Sequence, residues 1–226
     1  MKSRLVMWQV IVLVSFTLSC AANRPIERSP GQRETGRAFL THGEDEEPGY
    51  GLYSYLLFGS QPNDATRQRY LSSISAYLAI PTARALREHF PASSMNITYL
   101  PLLSQPESDP TAEWILDHYD YVRARAFLNV INGPHRDGPY IISFSRPLSG
   151  VKNLTNQYLY QDMSSVPPSI VTLWVNEFLK QAEKERYWDE DKVMGFVLQI
   201  RKAIEIAAEA TPDVKKSLST ILVWIK

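Results

Sequence analysis

The sequence predicts a mixed α/β domain: a small sheet of three to four strands, flanking helices, and a helical C-terminal segment. Three observations carry that prediction. Apolar runs of strand character at 50–58, 96–103 and 140–144 alternate with stretches whose apolar residues recur at helical spacing. Such alternation requires crossover connections, and so a mostly parallel or mixed sheet. After Val166-Pro167-Pro168 the spacing is helical to the end.

Composition agrees with a folded domain. The 226 residues are 44% hydrophobic and 11% aromatic, with 24 basic against 24 acidic side chains. No basic excess exists to neutralise a phosphate backbone, which argues against nucleic-acid binding. A single cysteine rules out an intramolecular disulfide and a Cys-rich zinc site.

Taken in chain order, the first element is a leader. Lys2 and Arg4 precede an apolar run from Leu5 to Leu18, and the chain turns polar after Ala22 with Asn23, Arg24 and Pro25. A charged start, an apolar core and small residues at its end make a secretory signal. The stretch Thr17-Leu18-Ser19-Cys20 resembles the lipobox of bacterial lipoproteins, in which the cysteine is lipidated and becomes the first mature residue. Thr17 stands where that class usually carries leucine. The resemblance spans residues 1–20 and implies an acyl anchor on Cys20 and a place in the cell envelope, facing the periplasm or the exterior. Two other outcomes fit the same residues. Ser19-Cys20-Ala21 also suits a cut that releases the protein, and the 18 residues Leu5–Ala22 are just long enough to stay as a helical anchor.

Residues 21–48 read as a flexible tether, punctuated by Pro25, Pro30, Gly31, Gly36, Gly43 and Pro48. The acidic run Glu44–Glu47 reads as a solvated loop, since it lacks the alternating oxygen ligands of a calcium site. The domain follows from 49 to 226. Tyr50–Phe58 is apolar on both alternating faces, as in a central strand covered on both sides. Asn63 or Asp64 caps a helix running to Ala79, with Tyr70, Ile74 and Tyr77 on its core face and Ser72, Ser73 and Ser75 turned away. A short helical turn falls within 82–89. The strand 96–103 carries Pro101, which places it near an edge or an end. Asp109-Pro110 opens a helix to Ile131 with Ile115, Tyr119, Val122 and Ala126 along one face. Tyr140–Phe144 is a third strand and Tyr158–Tyr160 a short fourth. Helices fill 167–226, ending in the apolar stretch 219–226.

Chemistry-bearing patterns are sparse. No G-x-S-x-G elbow and no H-E-x-x-H pair occurs among the serines and the four histidines, His42, His89, His118 and His135. No metal or cofactor is therefore expected. The loop 132–139 places His135, Arg136 and Asp137 together, a base, an anion clamp and a carboxylate, and is the catalytic candidate. Tyr158–Asp162, at a strand end, is a second candidate. The expectation is a membrane-tethered envelope lipoprotein acting as a binding or interaction module; the alternative is a small hydrolase-like envelope enzyme using His135, Arg136 and Asp137.

Overall fold

The computed structural model describes residues 33–131, 137–149, 151 and 158–184. The leader with Cys20, the pair His135 and Arg136, and the helices expected beyond 184 lie outside the described residues. Five strands form one sheet in the order β1-β3-β2-β4-β5. They are β1 Glu34–Thr41, β2 Leu52–Phe58, β3 Met95–Leu102, β4 Pro139–Phe144 and β5 Tyr158–Asp162. β1, β3 and β2 run parallel, while β4 and β5 are antiparallel to their neighbours. Among the described residues five helices flank the sheet: α1 Arg67–Leu78, α2 Ala83–Arg87, α3 Ala112–Asp117, α4 Tyr121–Val130 and α5 Pro168–Ala182. The class is the mixed α/β fold that the sequence predicts.

β2 is central, between β3 and β4, and all seven of its residues are buried. Its alternation assigns the helices to layers. Phe58 stacks on Tyr70 of α1, with ring centroids 4.3 Å apart, and α1 packs against α5 on that face. Tyr55 points the other way and meets Phe127 of α4 at 5.3 Å. Ser73, expected to face away, is buried, and its hydroxyl donates to the Arg69 carbonyl at 2.9 Å. Asn63 does hold the entry to α1: its Oδ1 accepts from the amides of Ala65 and Thr66, both at 3.0 Å.

The sheet has one strand more than expected, and that strand corrects the tether. Residues 34–41 are β1, paired residue by residue with β3 from Glu34↔Met95 to Thr41↔Leu102. Two features lock it in. Gly36 lies so close to α2 that a Cβ there would meet the Ala83 Cα at 2.9 Å, a contact only glycine permits. Half-buried Thr35 ends a polar row across four strands whose other members, Asn96, Ser54 and Ser143, are buried. Asn96 Nδ2 donates to Thr35 Oγ1 at 3.2 Å, Ser54 Oγ donates to Asn96 Oδ1 at 2.8 Å, and Ser54 and Ser143 share a hydrogen bond of 2.6 Å. Thr35 in turn donates to Glu183, just past α5. Burying these hydroxyls without one another would cost about 1–3 kcal/mol each, so the row favours one register.

One more expectation is met and another changes. The strand with Pro101 is β3, one place in from the β1 edge, and Pro101 is its penultimate residue. Pairing with β2 ends at Tyr99, so the missing N–H of Pro101 falls beyond that ladder, and its carbonyl accepts from the Asp120 amide at 3.2 Å. The helix expected from 110 to 131 is two helices, and the break is built from the same contact. Tyr119 forms an antiparallel bridge with Leu102, and the Leu103 amide donates to the His118 carbonyl at 2.8 Å. The caps are Thr111, whose hydroxyl accepts from the Trp114 amide at 3.2 Å, and Asp120, which accepts from the Arg123 amide at 2.9 Å. Asp109 is therefore not the cap. α4 is rotated out of the expected stripe, leaving Val122 79% exposed.

Candidate functional site

Three constellations deserve chemical scrutiny, and sequence patterns singled out none of them. The first stands past the carboxyl ends of β1 and β3, the end of a parallel sheet at which ligands usually bind. His42 Nδ1 and Asp120 Oδ2 are 2.8 Å apart; the imidazole is 67% exposed and the carboxylate 1%. In the neutral ring Asp120 holds the proton on Nδ1 and leaves Nε2 outward, the geometry of a general base. Arg123 lies alongside, donating from Nη1 to the Thr41 carbonyl at 2.8 Å and from Nη2 to the Glu44 carbonyl. The main cavities among the described residues do not have His42 in their walls. The pair thus fastens the chain leaving β1 to the cap of α4.

The second constellation overturns the solvated reading of Glu46, which is 5% exposed. Its Oε1 accepts from the Tyr55 hydroxyl at 2.8 Å and from the amides of Leu148 and Ser149 at 3.1 and 3.2 Å. One carboxylate oxygen thereby pins the chain after β4 against the sheet. Burial, then the nearby Glu46 carboxylate, push the Tyr55 phenol well above its ordinary range.

The third is a groove of about 810 Å³ along the outer edge of β1, within the size range of ligand sites. Its floor is Arg37, Ala38 and Phe39. One wall carries Thr82, Arg84 and Arg87; the other is the loop 105–110 with Glu107 and Asp109. The ladder shows which backbone groups face it. The His42 amide continues the β1–β3 pairing by donating to the Leu102 carbonyl at 2.8 Å, so even-numbered amides of β1 point at β3. The Arg37 amide points outward and donates to the Pro81 carbonyl at 2.8 Å. The amide of Phe39, two residues on, lies on that same outer side, where no acceptor meets it among the described residues. Arg37 is anchored by Nε to the Ile80 carbonyl at 2.9 Å and lies over the rings of Phe39 and Tyr77. Arg87 pairs with Glu47. Arg84, Glu107 and Asp109 are exposed.

Of the residues that the sequence suggested, Asp137 is exposed just before β4, and its charge helps to raise the Tyr70 phenol, after burial of that ring. Its partners His135 and Arg136 fall outside the described residues. Tyr158 and Tyr160 are packing groups, stacked on Phe144 at 5.6 Å and on Tyr140 at 5.9 Å. Asn96 is buried in the polar row. Among the described residues no three His, Cys, Asp or Glu side chains are grouped to hold a metal ion, and no helix is long and apolar enough to cross a membrane. Compared with known proteins, the chain matches no family model, no curated protein sequence and no solved structure.

Proposed function

We propose that this chain is a lipid-tethered protein of the cell envelope whose folded domain is a binding module. The observation that carries the binding reading is the groove along β1: an open strand edge between charged walls, with no histidine among its lining residues. The leader ending at Cys20 supports the tether. Because the sheet begins at Glu34, fourteen residues past Cys20, the connection spans at most about 50 Å at 3.3–3.6 Å per residue. β1 and its groove therefore sit near the lipid surface. The hydrolase-like alternative through His135, Arg136 and Asp137 has less support, since Asp137 is exposed to solvent.

The test is the intact mass and the partition of the protein made in a bacterial host, wild type beside Cys20→Ala. The expected mass is that of the chain from Cys20 plus acyl groups. The Cys20→Ala protein is expected to lose that addition and its cysteine-dependent processing. A wild-type product that begins at Met1 with a bare thiol, or one cut and free of lipid, would remove the lipid anchor.

A further inference from the structure

We infer that the groove along β1 binds a short free peptide, about four residues long, laid antiparallel to the strand with its carboxylate toward Arg84 and its amine toward Glu107 and Asp109. This rests on the binding reading above and names the ligand class.

The strand edge comes first. The Phe39 amide faces the groove with no acceptor among the described residues, and an extended peptide supplies a carbonyl for it. Adding a strand to an open edge is a general mode of peptide recognition, in which main-chain hydrogen bonds give affinity. The edge is also bounded. Thr82 bridges Arg37 at one end, and at the other Thr41 Oγ1 donates to Gln105 Oε1 at 3.1 Å. Residues 37 to 41 span about 13 Å at 3.3 Å per residue, room for about four residues of an extended chain.

Charge sets the direction. Arg84 and Arg87 belong to α2, which begins beside Arg37, so positive charge collects at that end. Glu47 occupies Arg87, whereas no ion pair engages Arg84 among the described residues. Glu107 and Asp109 follow Gln105, at the Thr41 end. A free peptide carries a carboxylate at one end and an ammonium at the other. It satisfies both ends only when antiparallel to β1, and charge-assisted hydrogen bonds make the match specific.

The test is calorimetric titration of the full-length, detergent-extracted protein with tetra-alanine, its N-acetyl form, its C-terminal amide and inorganic phosphate. Tetra-alanine is expected to bind, and each capped form to bind about tenfold more weakly or worse, the factor that about 1.4 kcal/mol gives. Arg84→Glu is expected to weaken tetra-alanine by a similar factor and to leave the amide unaffected. Glu107→Lys with Asp109→Lys is expected to spare the acetylated form in the same way. These positions are exposed, so thermal melts will match wild type if folding is intact. Equal binding of all peptide forms, no binding of tetra-alanine, or phosphate binding as tightly as the peptide would overturn the inference. Phosphate binding alone would leave a binding module with a different ligand, and a binding-competent protein with a bare Cys20 would remove the tether alone.

Discussion

Replacing Tyr119 by alanine is expected to unfold the protein or bring it to the brink. Its ring is buried and packs on Phe58 with centroids 4.5 Å apart, on the side of Phe58 that Tyr70 does not cover. Deleting an aromatic ring of this kind costs about 3–5 kcal/mol. Its hydroxyl has a second task. β2 pairs with β3 only through Tyr55, and past that point Tyr119 takes the place of a strand. It accepts from the Phe58 amide at 3.0 Å and donates to the Leu56 carbonyl at 3.2 Å. Losing both leaves buried backbone groups unpaired, about 1–3 kcal/mol more. The sum is comparable with the roughly 5–15 kcal/mol that holds a domain together. Tyr119→Phe keeps the ring and is expected to lose only the second part. Urea unfolding of both variants measures the difference; equal losses would show that the hydroxyl does not complete the end of β2.

Alkaline pH is expected to unfold the domain in one cooperative step. Burial is the leading cause that raises the phenols of Tyr55, Tyr77, Tyr99, Tyr119 and Tyr121 above their ordinary range. In the unfolded chain these groups ionise near pH 10, at about their unperturbed value. In the fold they keep their protons. Their contribution to stability is complete below about pH 10 and is lost as pH rises toward the folded-state values, because the unfolded state then binds fewer protons. Each fully shifted group costs about 1.4 kcal/mol per pH unit. Tyr77 and Tyr119 are both essentially inaccessible, so hydroxide reaches their phenols only when the fold opens. Tyrosinate absorbance and loss of far-ultraviolet circular dichroism should rise together. Smooth ionisation of all tyrosines near pH 10 with unchanged dichroism would contradict the buried placement.

How much of this was legible follows from where the apolar residues fall. β2 announces itself because both of its faces are buried, and α5 because Ile170, Trp174, Val175 and Phe178 repeat at helical spacing. β1 is hidden because it is an edge strand: only Gly36 and Leu40 of its eight residues are buried, and its glycine and polar residues mimic a linker. The break at His118–Asp120 is hidden because the apolar stripe of α3 runs on through Tyr119 and Val122 as if one helix continued. Only the contact with Leu102 and Leu103, remote in sequence, turns the chain. Glu46 is hidden because an acidic run reads as solvated until Tyr55 and two distant amides are seen to meet it. The His42–Asp120 pair and the groove join residues from different elements, so no local pattern encodes them.

The central structural claim is that residues 34–41 are a strand paired with β3 on one side and, among the described residues, unpaired on the other side at Phe39, since the groove depends on it. Hydrogen–deuterium exchange resolved to single amides measures this directly in the full-length protein. Ala38 and Leu40 are expected to be protected by their bonds to β3, while Phe39 between them exchanges fast and slows when tetra-alanine is added. Rapid exchange across the whole of 34–41, as in a linker, would contradict the account.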